Sequence, residues 1–107
     1  MNSVSPVQLA KRLQEGASVR LLDVREVDEH AYVALPGATL IPLGELEDRV
    51  AEISSWAADE VVVYCHHGVR SAHGAAILAE HGFQKVLNLS GGIDRWSMEV
   101  DPRLPRY

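Results

Sequence analysis

The sequence predicts an α/β fold: a central, mostly parallel sheet covered by helices on both faces. Three observations point there. Short apolar runs rich in β-branched residues, at 19–24, 61–64 and 86–89, are separated by stretches with helical character. Strands separated by helices imply a parallel sheet, because the chain must cross back over the sheet between strands. At 107 residues the chain is long enough for one hydrophobic core but not two, so the elements are expected to form a single domain over 1–107.

Each element has a local signal. Ser5-Pro6-Val7-Gln8 opens a helix with a serine N-cap, proline at the first helical position and glutamine three residues after the cap. This helix is expected to reach Glu15 and stop at Gly16. Val19 to Val24 is a strand ending in Asp23-Val24-Arg25, and a short helix covers Val27 to Tyr32. Pro36-Gly37 is a turn, and Ala38 to Ile41 is a brief strand closed by Pro42. Leu43, Leu46, Val50 and Ile53 recur at spacings of three, four and three, which predicts an amphipathic helix. Val61-Val62-Val63-Tyr64 is the buried central strand, and Ser71 to Glu80 is the helix after it, ended by Gly82. Val86 to Leu89 is a further strand, Gly91-Gly92 a tight turn, and Ile93 to Met98 a last helical turn or two. Asp101 to Tyr107 has no periodic pattern.

Composition restricts the functional classes. A net charge of −5 argues against nucleic acid as a partner, since phosphate binding needs a basic face. No run is long enough for a transmembrane helix, and the N-terminus lacks the basic-then-apolar pattern of a signal peptide. One cysteine cannot form an internal disulfide, so a cytoplasmic protein without membrane association is expected. Against the acidic background, His66, His67, Arg70 and His73 fall within nine residues and suggest a small anionic substrate.

That lone cysteine, Cys65, is the first residue after the apolar strand, with Cys65-His66-His67-Gly68-Val69-Arg70 leading into the next helix. A loop this short turns successive backbone N–H groups toward its own centre, where the positive end of the helix dipole adds to them. A thiol at that point has its anionic form favoured, which prepares a nucleophile. An inert structural cysteine would instead be expected within the strand, facing the core. A metal site from Cys65, His66, His67 and His73 is the weaker alternative, because adjacent residues seldom converge on one ion and no familiar zinc spacing is present. No metal or other cofactor is expected.

Three segments together resemble a known family. Leu21-Leu22-Asp23-Val24-Arg25-Glu26 is similar to the first strand of single-domain rhodaneses, and Leu35-Pro36-Gly37-Ala38 with Ile41-Pro42 to the segment that follows it. Val63-Tyr64-Cys65 through Arg70-Ser71, with Leu89-Ser90-Gly91-Gly92-Ile93 and Trp96, resembles the catalytic loop and closing motif of these sulfurtransferases. The resemblance implies a rhodanese-like fold. It also implies that Cys65 is the catalytic nucleophile and that His66, His67, Gly68, Val69, Arg70 and Ser71 form the substrate-binding loop. The implied reaction moves sulfane sulfur from thiosulfate or a persulfide, through a Cys65 persulfide, to cyanide, a thiol or a protein acceptor. Arg70 would face a small anionic donor or else brace the loop by a salt bridge; Asp23 and Arg25 would brace neighbouring loops, and Trp96 would pack.

Two features depart from the family pattern. Val33-Ala34 stands where many relatives have Gly-His, and His66 where arginine is frequent. The competing readings are a cysteine phosphatase or arsenate reductase, and an inactive binding module of the same fold. The phosphatase signature places arginine six residues after cysteine, whereas here position 71 is serine and the arginine comes one residue early. An intact cysteine in a complete loop argues against the inactive module. The segment from Gly92 to Tyr107 resembles the end of rhodanese domains fused to adenylyltransferases that load sulfur onto carrier proteins, which implies a sulfur relay; the equal alternative is a tail that wraps the domain and protects an edge.

Overall fold

A computed structural model describes residues 2–107. In chain order the elements are β1 (Ser3–Val4), α1 (Pro6–Gln14), β2 (Val19–Asp23), α2 (Val27–Tyr32), β3 (Thr39–Leu40) and α3 (Leu43–Arg49). A 3-10 segment, Val50–Trp56, leads to β4 (Glu60–Tyr64), α4 (Val69–Glu80), β5 (Lys85–Leu89) and α5 (Gly92–Glu99). The five strands form one sheet in the order β1-β5-β4-β2-β3, and every pairing is parallel. β4 is central, so the residue that follows it leaves the sheet at its middle, at the carboxyl ends of the strands where α/β folds build their sites.

The sheet has a core on each face, and strand alternation divides β4 between them. Val61, Val63 and Cys65 join Leu22, Leu46, Ala75 and Leu78 beneath α3 and α4. Val62 and Tyr64 join Leu9, Leu89, Ile93 and Trp96 beneath α1 and α5. Cys65 therefore continues the parity that faces α4. Trp96 is core, 7% exposed. The Ser5 hydroxyl accepts from the Gln8 amide at 3.1 Å, and the Gln8 side chain accepts from the Ser5 amide at 3.0 Å, completing the expected capping box.

Most boundaries fall within a residue of the sequence reading, and three departures are more informative. β1 is a two-residue strand in parallel pairing with Asn88 and Leu89, with Val4 buried in the core, and two residues carry no periodicity to read. The expected helix through Ile53 is α-helical only to Arg49, and Ile53 has non-helical φ −118° and ψ 22°. Leu46 and Ile53 are nonetheless buried in one core with Leu43 and Val50 against it, so apolar spacing reported the face and not the winding. α4 begins at Val69 rather than Ser71, because Gly68 takes φ 107° and turns the chain straight into the helix.

Candidate active site

Cys65 is 1% exposed and lies between the end of β4 and the first turn of α4. Its Sγ accepts from the Gly68 amide at 3.1 Å and from the Ser71 amide at 3.3 Å. Ser71 Oγ lies 3.3 Å from the same sulfur and donates to Asn88 Oδ1 at 2.5 Å. The Asn88 amide group in turn donates to the Gly68 carbonyl at 3.1 Å. One β5 side chain thus ties down both residues whose amides reach the sulfur. Asn88 was absent from the expected site; its only sequence signal is a polar residue in an otherwise apolar strand.

The loop's carbonyls are turned the other way. The Ile93 amide donates to the Cys65 carbonyl at 2.9 Å, and the Asp94 amide to the His66 carbonyl at 3.1 Å. Both donors come from the first turn of α5, whose N–H groups have no partner within the helix. Gly92, at φ 61°, allows this approach: a Cβ there would collide with the carbonyl oxygens of Cys65 and His66. With its carbonyls held by α5, the loop directs amide donors at the sulfur, an arrangement that stabilises a sulfur anion.

The other expected site residues point elsewhere. The Val69 side chain is exposed. Arg70 is turned to Glu29 of α2 in a two-point pair, Nη1 to Oε1 at 2.7 Å and Nη2 to Oε2 at 3.0 Å. The Arg70 hydrogen bonds, with help from the Glu26 amide and the Tyr107 hydroxyl, pull the Glu29 carboxyl down to about 2. His66 stacks on the Tyr107 ring, with centroids 3.8 Å apart and planes within 7°. Its Nε2 is buried without a partner. Burial, then the neighbouring His67, push His66 below the ordinary histidine value. His67 lies beside it and 3.7 Å from Asp94. His73 is exposed on α4, so the four basic residues that are close in sequence do not form a cluster.

Asp23 and Arg25 brace, as expected. Both side chains are fully buried and paired at 2.8 Å, and Arg25 also donates to the Val33 carbonyl at 2.6 Å. Arg25 Nη1 donates to the Tyr107 hydroxyl at 2.9 Å, and that hydroxyl donates to Glu29 at 2.7 Å. The tail therefore returns over the Cys65 loop, with Arg106 held on Asp94 at 2.8 Å. Of the residues considered for a metal, Cys65 and His73 lie outside the group that converges. Among the described residues, His66, His67 and Asp94 place ligand atoms within 4.8 Å of one another, and Asp94 is already engaged by Arg106.

A family match to the rhodanese-like domain covers residues 5–99. The chain belongs to the rhodanese-like domain family. It is 35% identical over 97 residues to a sulfurtransferase of Allochromatium vinosum, covering 91% of this chain and 89% of that one. It is 37% identical over 91 residues to the putative sulfur carrier protein YrkF of Bacillus subtilis, covering 85% of this chain and 48% of YrkF, so the matched region is about half of that relative. A probable adenylyltransferase/sulfurtransferase, MoeZ of Mycobacterium tuberculosis, is 31% identical over 106 residues, 99% of this chain and 27% of MoeZ, and this match includes the tail. Among solved structures, the human single-domain sulfurtransferase TSTD1 superposes with a TM-score of 0.81 at 28% identity, covering 92% of this chain and 97% of that one. As a rhodanese domain with sulfurtransferase relatives, the chain belongs with proteins of sulfur transfer.

Proposed function

We propose that this rhodanese domain is a sulfurtransferase that carries sulfane sulfur as a persulfide on Cys65. The observation behind this reading is the convergence of the Gly68 and Ser71 amides on Sγ at the N-terminus of α4. In the first half of the reaction the Cys65 thiolate attacks the outer sulfur of thiosulfate or of a persulfide. The donor's S–S bond breaks, and sulfite or a thiolate leaves with the electron pair. The loop amides and the dipole of α4 then offset the negative charge of the persulfide's terminal sulfur. In the second half a nucleophile attacks that sulfur and the Cys65 thiolate is released. Cys65 is the only cysteine of these 107 residues, so the acceptor lies outside this domain: cyanide, a thiol or a protein. Phosphoryl transfer is the weaker reading, since the guanidinium that would clamp a phosphate is committed to Glu29.

The test is intact mass. The protein should gain one sulfur atom on exposure to thiosulfate or a persulfide and lose it to cyanide. Cys65→Ser should gain none while keeping its fold, because a serine hydroxyl stays protonated in a site without a general base. Sulfur uptake or thiosulfate-to-cyanide turnover by Cys65→Ser would refute the assignment of the nucleophile.

A further inference from the structure

Three guanidinium groups near the Cys65 loop, Arg70, Arg25 and Arg106, are each matched by a carboxylate. Arg70 holds Glu29 at 2.7 Å, Arg25 holds Asp23 at 2.8 Å, and Arg106 holds Asp94 at 2.8 Å. Asp94 also lies 3.7 Å from His67. His66 is pushed below the ordinary histidine value, first by burial, so its cationic form is disfavoured.

Arg70 is the cation nearest in role to an anion clamp, and it is not free. Glu29 is only 17% exposed and is held from three sides: by Arg70, by the Tyr107 hydroxyl at 2.7 Å and by the Glu26 amide at 2.9 Å. Swinging Arg70 away would leave a part-buried carboxylate short of its main partner, which is costly. The sulfur thus reacts as an anion in an acidic protein, without an uncommitted guanidinium in these three pairs. Thiosulfate places both of its negative charges within two bonds of the sulfur under attack. A persulfide on carbon brings at most one, and none in its protonated form.

We infer that this site selects donors that bring little negative charge to the attacked sulfur, organic persulfides over the thiosulfate dianion, and that Glu29 sets this selectivity by neutralising Arg70. The inference rests on the sulfur-transfer reading and narrows its donor class. The step balances as follows. The Cys65 thiolate forms a bond to the outer sulfur of R–S–SH, the R–S bond to that sulfur breaks, and R–S⁻ leaves with the electron pair. The transferred sulfur keeps its proton until it is lost to solvent.

Two pairs of reagents that differ in charge test this in wild type, Glu29→Gln and the Glu29→Gln, Arg70→Ala double variant. The first pair is thiosulfate and methanethiosulfonate, in which a methyl group replaces one charged oxygen. The second is iodoacetate and iodoacetamide, which alkylate Cys65 without any sulfur transfer. Rates are divided by those of free cysteine with the same reagent. Wild type should take sulfur about tenfold faster from methanethiosulfonate than from thiosulfate, the low end of what a focused charge does in a cleft. Glu29→Gln should erase most of that difference, make thiosulfate uptake fall with added salt, and raise the iodoacetate-to-iodoacetamide ratio in parallel. The double variant should lose the gain, which places the effect on Arg70. Equal normalised rates for both donors in wild type, or ratios unmoved by Glu29→Gln, would overturn the inference. No sulfur uptake from either donor, with an alkylation ratio that still rises in Glu29→Gln, would sink the sulfur-transfer reading and leave the charge selectivity standing.

Discussion

Replacing Gly92 by alanine separates the loop's anchoring from its chemistry. The residue sits at φ 61°, and a Cβ there would meet the carbonyls of Cys65 and His66, which are backbone atoms with little room to give. The left-handed conformation alone costs about 1–2 kcal/mol for a residue with a Cβ. Relieving the collision moves the two carbonyls off the Ile93 and Asp94 amides, and each hydrogen bond contributes about 0.5–1.5 kcal/mol. The expected loss is about 3 kcal/mol, a large part of the roughly 5–15 kcal/mol by which a domain is stable. Gly16→Ala is the control: it has φ 83° with nothing within 4 Å of the added Cβ, so it carries the conformational cost without the collision. Urea denaturation of both variants measures the difference, and sulfur uptake by mass reports on the loop. A Gly92→Ala protein that loses no more stability than Gly16→Ala and takes up sulfur normally would refute the claim that α5 holds the loop carbonyls in place.

Two further outcomes follow from the same contacts. Asn88→Ala removes the partner of Ser71 Oγ and of the Gly68 carbonyl, so it should cost about 1–3 kcal/mol by denaturation and slow sulfur uptake; Asn88→Asp, which keeps the acceptor for Ser71 but not the donor to Gly68, should fall between. Glu29 is depressed from 4.5 to about 2 by Arg70 first, so it binds its proton less readily folded than unfolded; its stabilising contribution is complete above pH 4.5 and is lost as pH falls toward 2. Acid titrations of unfolding free energy should therefore show a shallower fall over that window in Arg70→Ala than in wild type, and identical slopes would count against the pair.

The position of Cys65 at the mouth of the loop was legible because two independent signals meet there: an apolar β-branched run that stops, and a short glycine-containing loop that must turn into a helix. The fold was legible for a similar reason, since a strand–helix alternation leaves few topologies for a parallel sheet. What was not legible depends on contacts between residues far apart in the chain. Glu29 reads locally as an acidic residue in the first turn of α2, and nothing near it announces a partner 41 positions away. Asn88 reads as a polar interruption in a strand, and Tyr107 as the end of a patternless tail. The local run of basic residues was the misleading signal: sequence proximity of His66, His67, Arg70 and His73 says nothing about which carboxylates the fold brings to meet them.

The path of the tail determines where a fusion partner added at Tyr107 would sit. With Tyr107 stacked on His66 and hydrogen-bonded between Arg25 and Glu29, residue 107 is held beside the Cys65 loop. A protein tethered after that residue begins its search for the loop with almost no linker to span. Short flexible tethers present a partner at an effective concentration on the order of millimolar. An acceptor joined there would need little intrinsic affinity for the domain, whereas a bulky inert fusion at the same point would crowd out acceptors arriving from solution.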